Sequence, residues 1–339
     1  MTASQPNAGL PQSTGYAPRT TDRGLRPKIA VYWTGGCGGC DVSFLELGPA
    51  LLDVLSQIEI VFWPALVDIK RADVEAFAPR SIAATLVNGT LRTEENVEMV
   101  RLLREKSQLV VAFGACAYQG GVPGLANLSS REEILRRMSG NGFLPTPPPG
   151  GGAEDAPPEL LAQAKSLSDE IAVDYVVPGC PPMPPLIGLL FDALLSGDLP
   201  APGHVFAHDK ALCEECPRTR EDRVLTKVVR PHETIPDAEV CLLDQGMICM
   251  GPVIRGGCGA ACPKAGMPCT GCVGPTPNAG DPGLAMISAL GSLVRVGEEG
   301  AASFAAEDKL LDALVDPLGT FYKYSLPAYV RGVGKRSNR

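Results

Sequence analysis

Between residues 28 and 200, short apolar runs alternate with stretches whose apolar residues recur at helical spacing. The pattern predicts strands at Lys28–Trp33, Glu59–Trp63, Ile82–Val87, Leu109–Phe113 and Asp174–Val177. It predicts helices at Val42–Ser56, Thr93–Lys106, Arg131–Met138, Pro158–Glu170 and Pro184–Leu195. Strands alternating with helices imply an α/β domain on a parallel sheet, with a flavodoxin-like or Rossmann-like layout. The stretch SGNGFLPTPPPGGGAEDAPP (139–158) interrupts this rhythm and reads as a surface insertion, because its prolines and glycines break either kind of element.

Beyond about residue 205 the periodicity fades, apart from VLTKVVR (224–230) and VCLLD (240–244). From Cys241 to Pro282 the chain is dense in Gly, Pro and Cys. A segment of that kind is expected to bury little aliphatic core, so another agent, most naturally metal, must hold it. The expected organisation is a disordered polar arm over 1–27, a flavodoxin-like domain over 28–204, and an irregular, cysteine-rich domain over 205–339.

Charge and composition remove several function classes. A net charge of −8 argues against nonspecific nucleic-acid binding, which needs a basic face. The one basic cluster, Arg331 to Arg339, reads as a solvated end. No run reaches the length of about 18 apolar residues that spans a bilayer, and residues 1–27 lack the apolar centre of a secretory signal. The expectation is a cytoplasmic protein, where twelve cysteines serve better as ligands than as disulfides.

The turn GGCGGC (35–40) follows the first strand, where a doubly wound sheet keeps a phosphate loop. A nucleotide reading fails there: Asp41 stands where GxGxxG needs its last glycine, and no GxxxxGK[ST] occurs. The cysteines offer a different cargo. Cys37 and Cys40 follow the first strand, Cys116 follows LVVAFGA, and Cys180 follows DYVVPG. Ligands of an open α/β sheet gather outside the carboxyl ends of its strands, so these four are expected to converge on one site. Their small and turn-forming neighbours, such as Gly36, Gly38, Gly114 and Gly179, let the backbone approach and aim N–H groups at a cluster's sulfides.

In the second half, Cys258, Cys262, Cys269 and Cys272 are compact enough to wrap one cluster. Cys213 and Cys216 with Cys241 and Cys249 make a third set, the grouping least forced by spacing. Twelve thiolates divide into three sets of four, the number each iron–sulfur cube takes. Structural zinc remains an alternative, best suited to the 258–272 group, in a non-redox scaffold. A thioredoxin-type dithiol at Cys37 and Cys40 leaves ten cysteines unexplained. His204, His208 and His232 have no ligand spacing with the cysteines and read as surface residues. Asp41 and Glu46 are candidate proton relays, though carboxylates at a helix start mostly serve the macrodipole.

CGGC (37–40), GACA (114–117) and PGCPP (178–182), in that order on an α/β domain, resemble the small subunit of nickel–iron hydrogenases. CEECP (213–217), CLLDQGMICMGP (241–252) and GGCGAACPKAGMPCTGC (256–272) continue the likeness, which covers nearly the whole chain after residue 28. VYWTGGCGGC, IVFWP and VAFGACAYQGGVPGLAN point to the cytoplasmic methyl-viologen-reducing branch, linked to heterodisulfide reductase.

The resemblance implies three 4Fe–4S clusters. Cys37, Cys40, Cys116 and Cys180 would hold the proximal one, Cys258, Cys262, Cys269 and Cys272 the medial, and Cys213, Cys216, Cys241 and Cys249 the distal. The periplasmic members have histidine where Cys213 stands, often proline near Cys262 with a 3Fe–4S medial cluster, and a twin-arginine leader. These departures imply a cytosolic enzyme with all-thiolate ligation and low potentials. The nickel–iron site would lie in a large partner subunit, since Pro275 replaces the histidine that follows the large subunit's second CxxC. The electron acceptor would be an iron–sulfur or flavin protein, with the heterodisulfide-reductase type as one candidate. The single-cluster quinone-reductase subunit is a poorer likeness, having an adjacent cysteine pair and lacking the second eight. A free ferredoxin-like carrier, or a carrier subunit of another oxidoreductase, is a further alternative.

Overall fold

A computed structural model of the chain describes residues 26–140, 159–221, 225, 227–293 and 313–330. The first 25 residues, most of the predicted insertion and the basic end fall outside them. Strands β1 (Lys28–Trp33), β2 (Glu59–Phe62), β3 (Ile82–Asn88), β5 (Ser107–Phe113) and β7 (Tyr175–Val177) form one sheet in the order β2-β1-β3-β5-β7. Every pairing in it is parallel. That is the flavodoxin-like order, with its topological switch between β1 and β3. The strands carry apolar residues toward both faces: Ala84, Leu86, Val110, Val111 and Phe113 are all fully buried. Helices must therefore cover both sides.

Helix α4 (Glu94–Lys106), which packs beside α3 (Arg71–Ala76), shows why the sequence could place such an element. Thr93 caps it by accepting the Asn96 N–H, while the Asn96 side chain accepts the Thr93 N–H in return. Glu94 and Glu95 stand in its first turn, and Arg104 and Lys106 in its last, both matching the helix dipole. Val97, Val100 and Leu103 recur at helical spacing and are buried.

Two predicted helices come out differently. Val42–Ser56 is split into α1 (Gly39–Ser43), a 3-10 turn (Leu45–Leu47) and α2 (Pro49–Gln57). Gly48 at φ 58 turns the chain, and Pro49 can begin a helix but not continue one. The described part of Pro158–Glu170 is a strand, β6 (Leu160–Lys165), followed by a 3-10 turn (Leu167–Asp169). It pairs antiparallel with β4 (Leu91–Thr93), which has no counterpart among the predicted strands. The Asn127 amide accepts the Ala164 N–H (2.7 Å) and donates to the Ala164 carbonyl (2.9 Å). Arg92 donates to the Leu161 carbonyl (2.9 Å) and Thr90 to that of Lys165 (2.8 Å). Tertiary hydrogen bonds thus overrule the helical propensity of LLAQAK.

After residue 205 regular elements are few, as expected, but the aliphatic core is larger than expected. Leu212, Leu242, Met247, Ile254, Met286 and Phe321 are among the residues of one buried cluster. Part of it comes from helix Pro282–Leu293, which the periodicity did not mark and which buries Met286 and Leu290. Among the described residues of VLTKVVR, no strand forms.

Candidate metal centre

Three sets of thiols assemble. At the carboxyl edge of the sheet, the turn after β1 brings Cys37 and Cys40, helix α5 (Ala115–Gln119) after β5 brings Cys116, and the loop after β7 brings Cys180. The loop leaves β7 through Gly179 and a cis Cys180–Pro181 peptide. Burial pushes the Cys40 thiol far up, and the fields of Cys116, Cys180 and Cys37 push it further. Burial likewise raises Cys116 to about 12, with Cys180 and Cys37 adding to it. Four sulfurs in one another's field occupy one half-dry pocket.

The backbone around them leaves no room for side chains. A Cβ on Gly114 would stand 2.5 Å from the Cys40 sulfur, and one on Gly121 would stand 2.4 Å from that of Cys116. Both glycines have positive φ, 90° and 57°. The Val122 N–H points at the Cys116 sulfur.

Asp41 is fixed rather than free. Its Oδ1 accepts the Trp63 indole N–H (2.7 Å) and its Oδ2 the Asn88 amide (3.0 Å). This ties α1, which carries Cys40, to the ends of β2 and β3. Asp41 therefore positions the turn, and the two residues that hold it were not among the candidates. Glu46 lies on the following 3-10 turn.

Cys213, Cys216, Cys241 and Cys249 form the second assembly. Burial raises Cys213 to about 12, and Cys249, Cys241 and Cys216 contribute to the rise. Burial also raises Cys249, against amide donors from Gly251 and Cys269. Cys258, Cys262, Cys269 and Cys272 form the third. Burial raises Cys272 to about 12, with Cys258 beside it, and lifts Cys269 well above the usual thiol range. The Ala260 and Ala261 N–H groups point at the Cys258 sulfur.

The third set stands between the other two. The Cys180 N–H points at the Cys272 sulfur, and the Cys269 N–H donates to the Cys249 sulfur at 3.3 Å. Arg218 clamps two of the sets from outside: its Nε donates to the Pro263 carbonyl (2.9 Å), beside Cys262, and its guanidinium to that of Val240 (3.0 Å), beside Cys241. A guanidinium two residues past a CxxC pair was a signal available in CEECPR.

The donor chemistry fits iron–sulfur cubes. All twelve cysteines are free thiols, and burial makes the bare thiolates of Cys40, Cys116, Cys213, Cys249, Cys269 and Cys272 costly until positive metal neutralises them. Amide donors aimed at sulfur are the contacts that tune such clusters. Among the described residues, no three His, Cys, Asp or Glu side chains are spaced to hold a metal ion together. A single zinc needs its sulfurs about 2.3 Å from one point, whereas a four-iron cube bonds each thiolate to a different iron. His204 lies edge-on to Phe206, His208 lies beside Glu215, and His232 is exposed.

Comparison with known proteins identifies the family. The profile of the family described as NADH ubiquinone oxidoreductase, 20 Kd subunit, matches residues 37–194. It therefore spans the four sheet-edge cysteines and none of the other eight. The F420-non-reducing hydrogenase iron-sulfur subunit of Archaeoglobus profundus is 40% identical over 321 residues, covering 88% of this chain and 96% of that protein. A vhu subunit of the F420-non-reducing hydrogenase of Methanocaldococcus jannaschii is 40% identical over 258 residues, covering 74% and 83%. A solved Ni-Fe-Se hydrogenase from Desulfomicrobium baculatum overlays with a TM-score of 0.48 at 21% identity, covering 76% of this chain and 97% of that one. With its relatives spanning both the sheet and the cysteine-rich half, the chain belongs to the nickel–iron hydrogenase small-subunit family, on the methyl-viologen-reducing branch that includes the F420-non-reducing hydrogenases.

Proposed function

We propose that this chain is the electron-relay subunit of a cytoplasmic nickel–iron hydrogenase and holds three 4Fe–4S clusters in a line. Cys37, Cys40, Cys116 and Cys180 hold the proximal one. Cys258, Cys262, Cys269 and Cys272 hold the medial, and Cys213, Cys216, Cys241 and Cys249 the distal. When bound, such clusters take up and pass on single electrons, and the protein supplies their spacing, burial and hydrogen bonds.

The observation that carries this reading is the pair of amide-to-sulfur contacts between sets. Cys180 and Cys269 each ligate one set and point a peptide N–H at a sulfur of the next, Cys272 and Cys249 respectively. The medial and distal sets are therefore one hydrogen bond apart through their own ligands, and the proximal and medial sets meet where Cys180 faces Cys272. The division into a sheet unit (28–204) and a cysteine-rich unit (205–339) fits this line, the first holding the proximal set and the second the other two.

The segment bearing Cys37 leaves Trp33 (44% exposed), Val42 (57%), Leu45 (68%) and Leu52 (70%) in the open. Trp33 packs over the turn itself, against Gly36 and Gly38. Large apolar side chains gathered at one site mark a protein interface, here for the large subunit with the nickel–iron centre. The exposed Cys213 sits at the other end of the line, where an iron–sulfur or flavin acceptor of the heterodisulfide-reductase type would dock. Twelve unpaired thiols suit a reducing cytoplasm. Among the described residues no helix is long and apolar enough to cross a membrane.

Removing the distal set tests the assignment in the assembled complex. Cys213→Ala with Cys249→Ala is expected to leave hydrogen–deuterium exchange intact, since that chemistry belongs to the large subunit, while acceptor reduction collapses. Exchange and acceptor reduction falling together would contradict the relay.

A further inference from the structure

The distal CxxC pair encloses two acidic residues, and their side chains part. Glu214 turns outward to Lys210 (2.9 Å), its side chain 53% exposed. Glu215 turns inward, is 20% exposed, and leaves its own knuckle altogether. Its Oε2 accepts the Gly257 N–H (2.9 Å) and its Oε1 accepts the Ala260 N–H (3.2 Å). The same Oε1 lies 3.8 Å from the Cys258 sulfur. One carboxylate thus grips the peptides on both sides of a medial-set cysteine.

Two further features show that the grip shapes the loop. Ala260 is held at φ 52, a left-handed conformation that a residue with a Cβ adopts only under constraint. Its N–H is one that also points at the Cys258 sulfur, so the bond to Glu215 keeps that donor aimed. The loop also lies flat on the carboxylate: a Cβ on Gly256 would come within 3.1 Å of the Glu215 carboxyl carbon. Outside, His208 Nδ1 stands 3.4 Å from Oε2.

We propose that Glu215 is a positioning residue of the relay: carried on the distal knuckle, it fixes the Cys258 loop and lowers the potential of the medial site. This rests on the three-set reading above. An electron arriving beside a fixed negative charge is repelled by it, and the limited exposure of Glu215 leaves that repulsion only partly screened. Net charge and hydrogen bonds to sulfur are the protein's principal controls over such potentials, and Glu215 governs both at Cys258.

The test uses the purified hydrogenase complex. Iron analysis of the unaltered complex decides the three-set reading by itself, because it involves no variant. Glu215→Gln keeps the length and one acceptor oxygen but removes the charge. In an EPR-monitored redox titration, the medial signal is expected to shift to higher potential, by more than the distal signal, with iron content unchanged. A medial potential that stays in place, or a larger shift in the distal signal, overturns the proposal. If Glu215→Gln instead loses iron, Glu214→Gln decides: iron retained in Glu214→Gln supports the positioning role, and equal loss in both overturns it.

Discussion

Replacing Gly114 by alanine separates what the fold requires from what the sulfurs require. Gly114 adopts φ 90, ψ 161, a region open essentially to glycine alone and costing another residue about 1–3 kcal/mol. The added Cβ would also stand 2.5 Å from the Cys40 sulfur, and overpacking of that kind costs about 1–3 kcal/mol more when neither atom can move. The second cost is conditional. In a cluster-free chain the Cys40 thiol can swing to another rotamer; held as a ligand, it cannot. The cluster-free variant therefore loses about 1–3 kcal/mol, the loaded one about 2–6 kcal/mol, and the difference falls on loading. Gly197→Ala is the control, since Gly197 has φ 76 with nothing within 4 Å of its missing Cβ. Its cost is the backbone contribution alone, about 1–2 kcal/mol. The assay is anaerobic reconstitution, with iron per chain and thermal midpoints measured before and after. Gly114→Ala is expected to lose about four irons per chain, one cube's worth, while Gly197→Ala keeps all of them. Full iron in Gly114→Ala, with an unaltered proximal EPR signal, would refute the reasoning.

Other parts of the molecule carry their own expectations. Cys213→His keeps a ligand at the distal set but exchanges thiolate for neutral imidazole, so the distal potential should rise with iron retained; redox titration checks it. Arg104 donates to Asp174 at 2.5 Å, and Asp174 also accepts the Val110 N–H at 2.7 Å with its side chain only 5% exposed. Arg104→Ala strands that carboxylate, and a loss of about 3–5 kcal/mol should show as a lower thermal midpoint. Burial works against the Glu170 carboxylate, yet Lys165 and Arg101 outweigh it and hold its pKa below the ordinary value. A depressed folded pKa gives stability that is complete above the unfolded value, about 4.3, and is lost as pH falls through the folded one. Glu170→Gln should therefore flatten the acid limb of the thermal midpoint against pH, and an unchanged limb would contradict the assignment.

The strands were legible because each buries apolar residues against helices on both sides, which leaves a continuous run in the sequence. The meeting of Cys37, Cys40, Cys116 and Cys180 was legible for a topological reason: strand ends of one parallel sheet share an edge. β6 was hidden because LLAQAK favours a helix locally, and Asn127, Arg92 and Thr90, all far off in sequence, decide otherwise. The helix Pro282–Leu293 was hidden because apolar and small residues fill it on nearly every side and blur its period. Asp41 was noticed as a helix-start carboxylate and a candidate proton relay, while its bonds to Trp63 and Asn88, which cross 22 and 47 residues, left no local mark. Glu215 was invisible for a similar reason. Placed within the Cys213/Cys216 pair, its carboxylate accepts from the peptides on either side of a cysteine more than forty residues away, and no local pattern marks that crossing.

On the proposed reading, twelve thiols hold three four-iron cubes, one at the sheet edge and two in the cysteine-rich half. Iron, acid-labile sulfide and zinc measured per chain on the anaerobically purified complex, with Mössbauer spectra of the same sample, test it most directly. About twelve irons and about twelve sulfides per chain are expected, all in four-iron cubes. A colourless chain loaded with zinc, or one holding about four irons and no more, would contradict it.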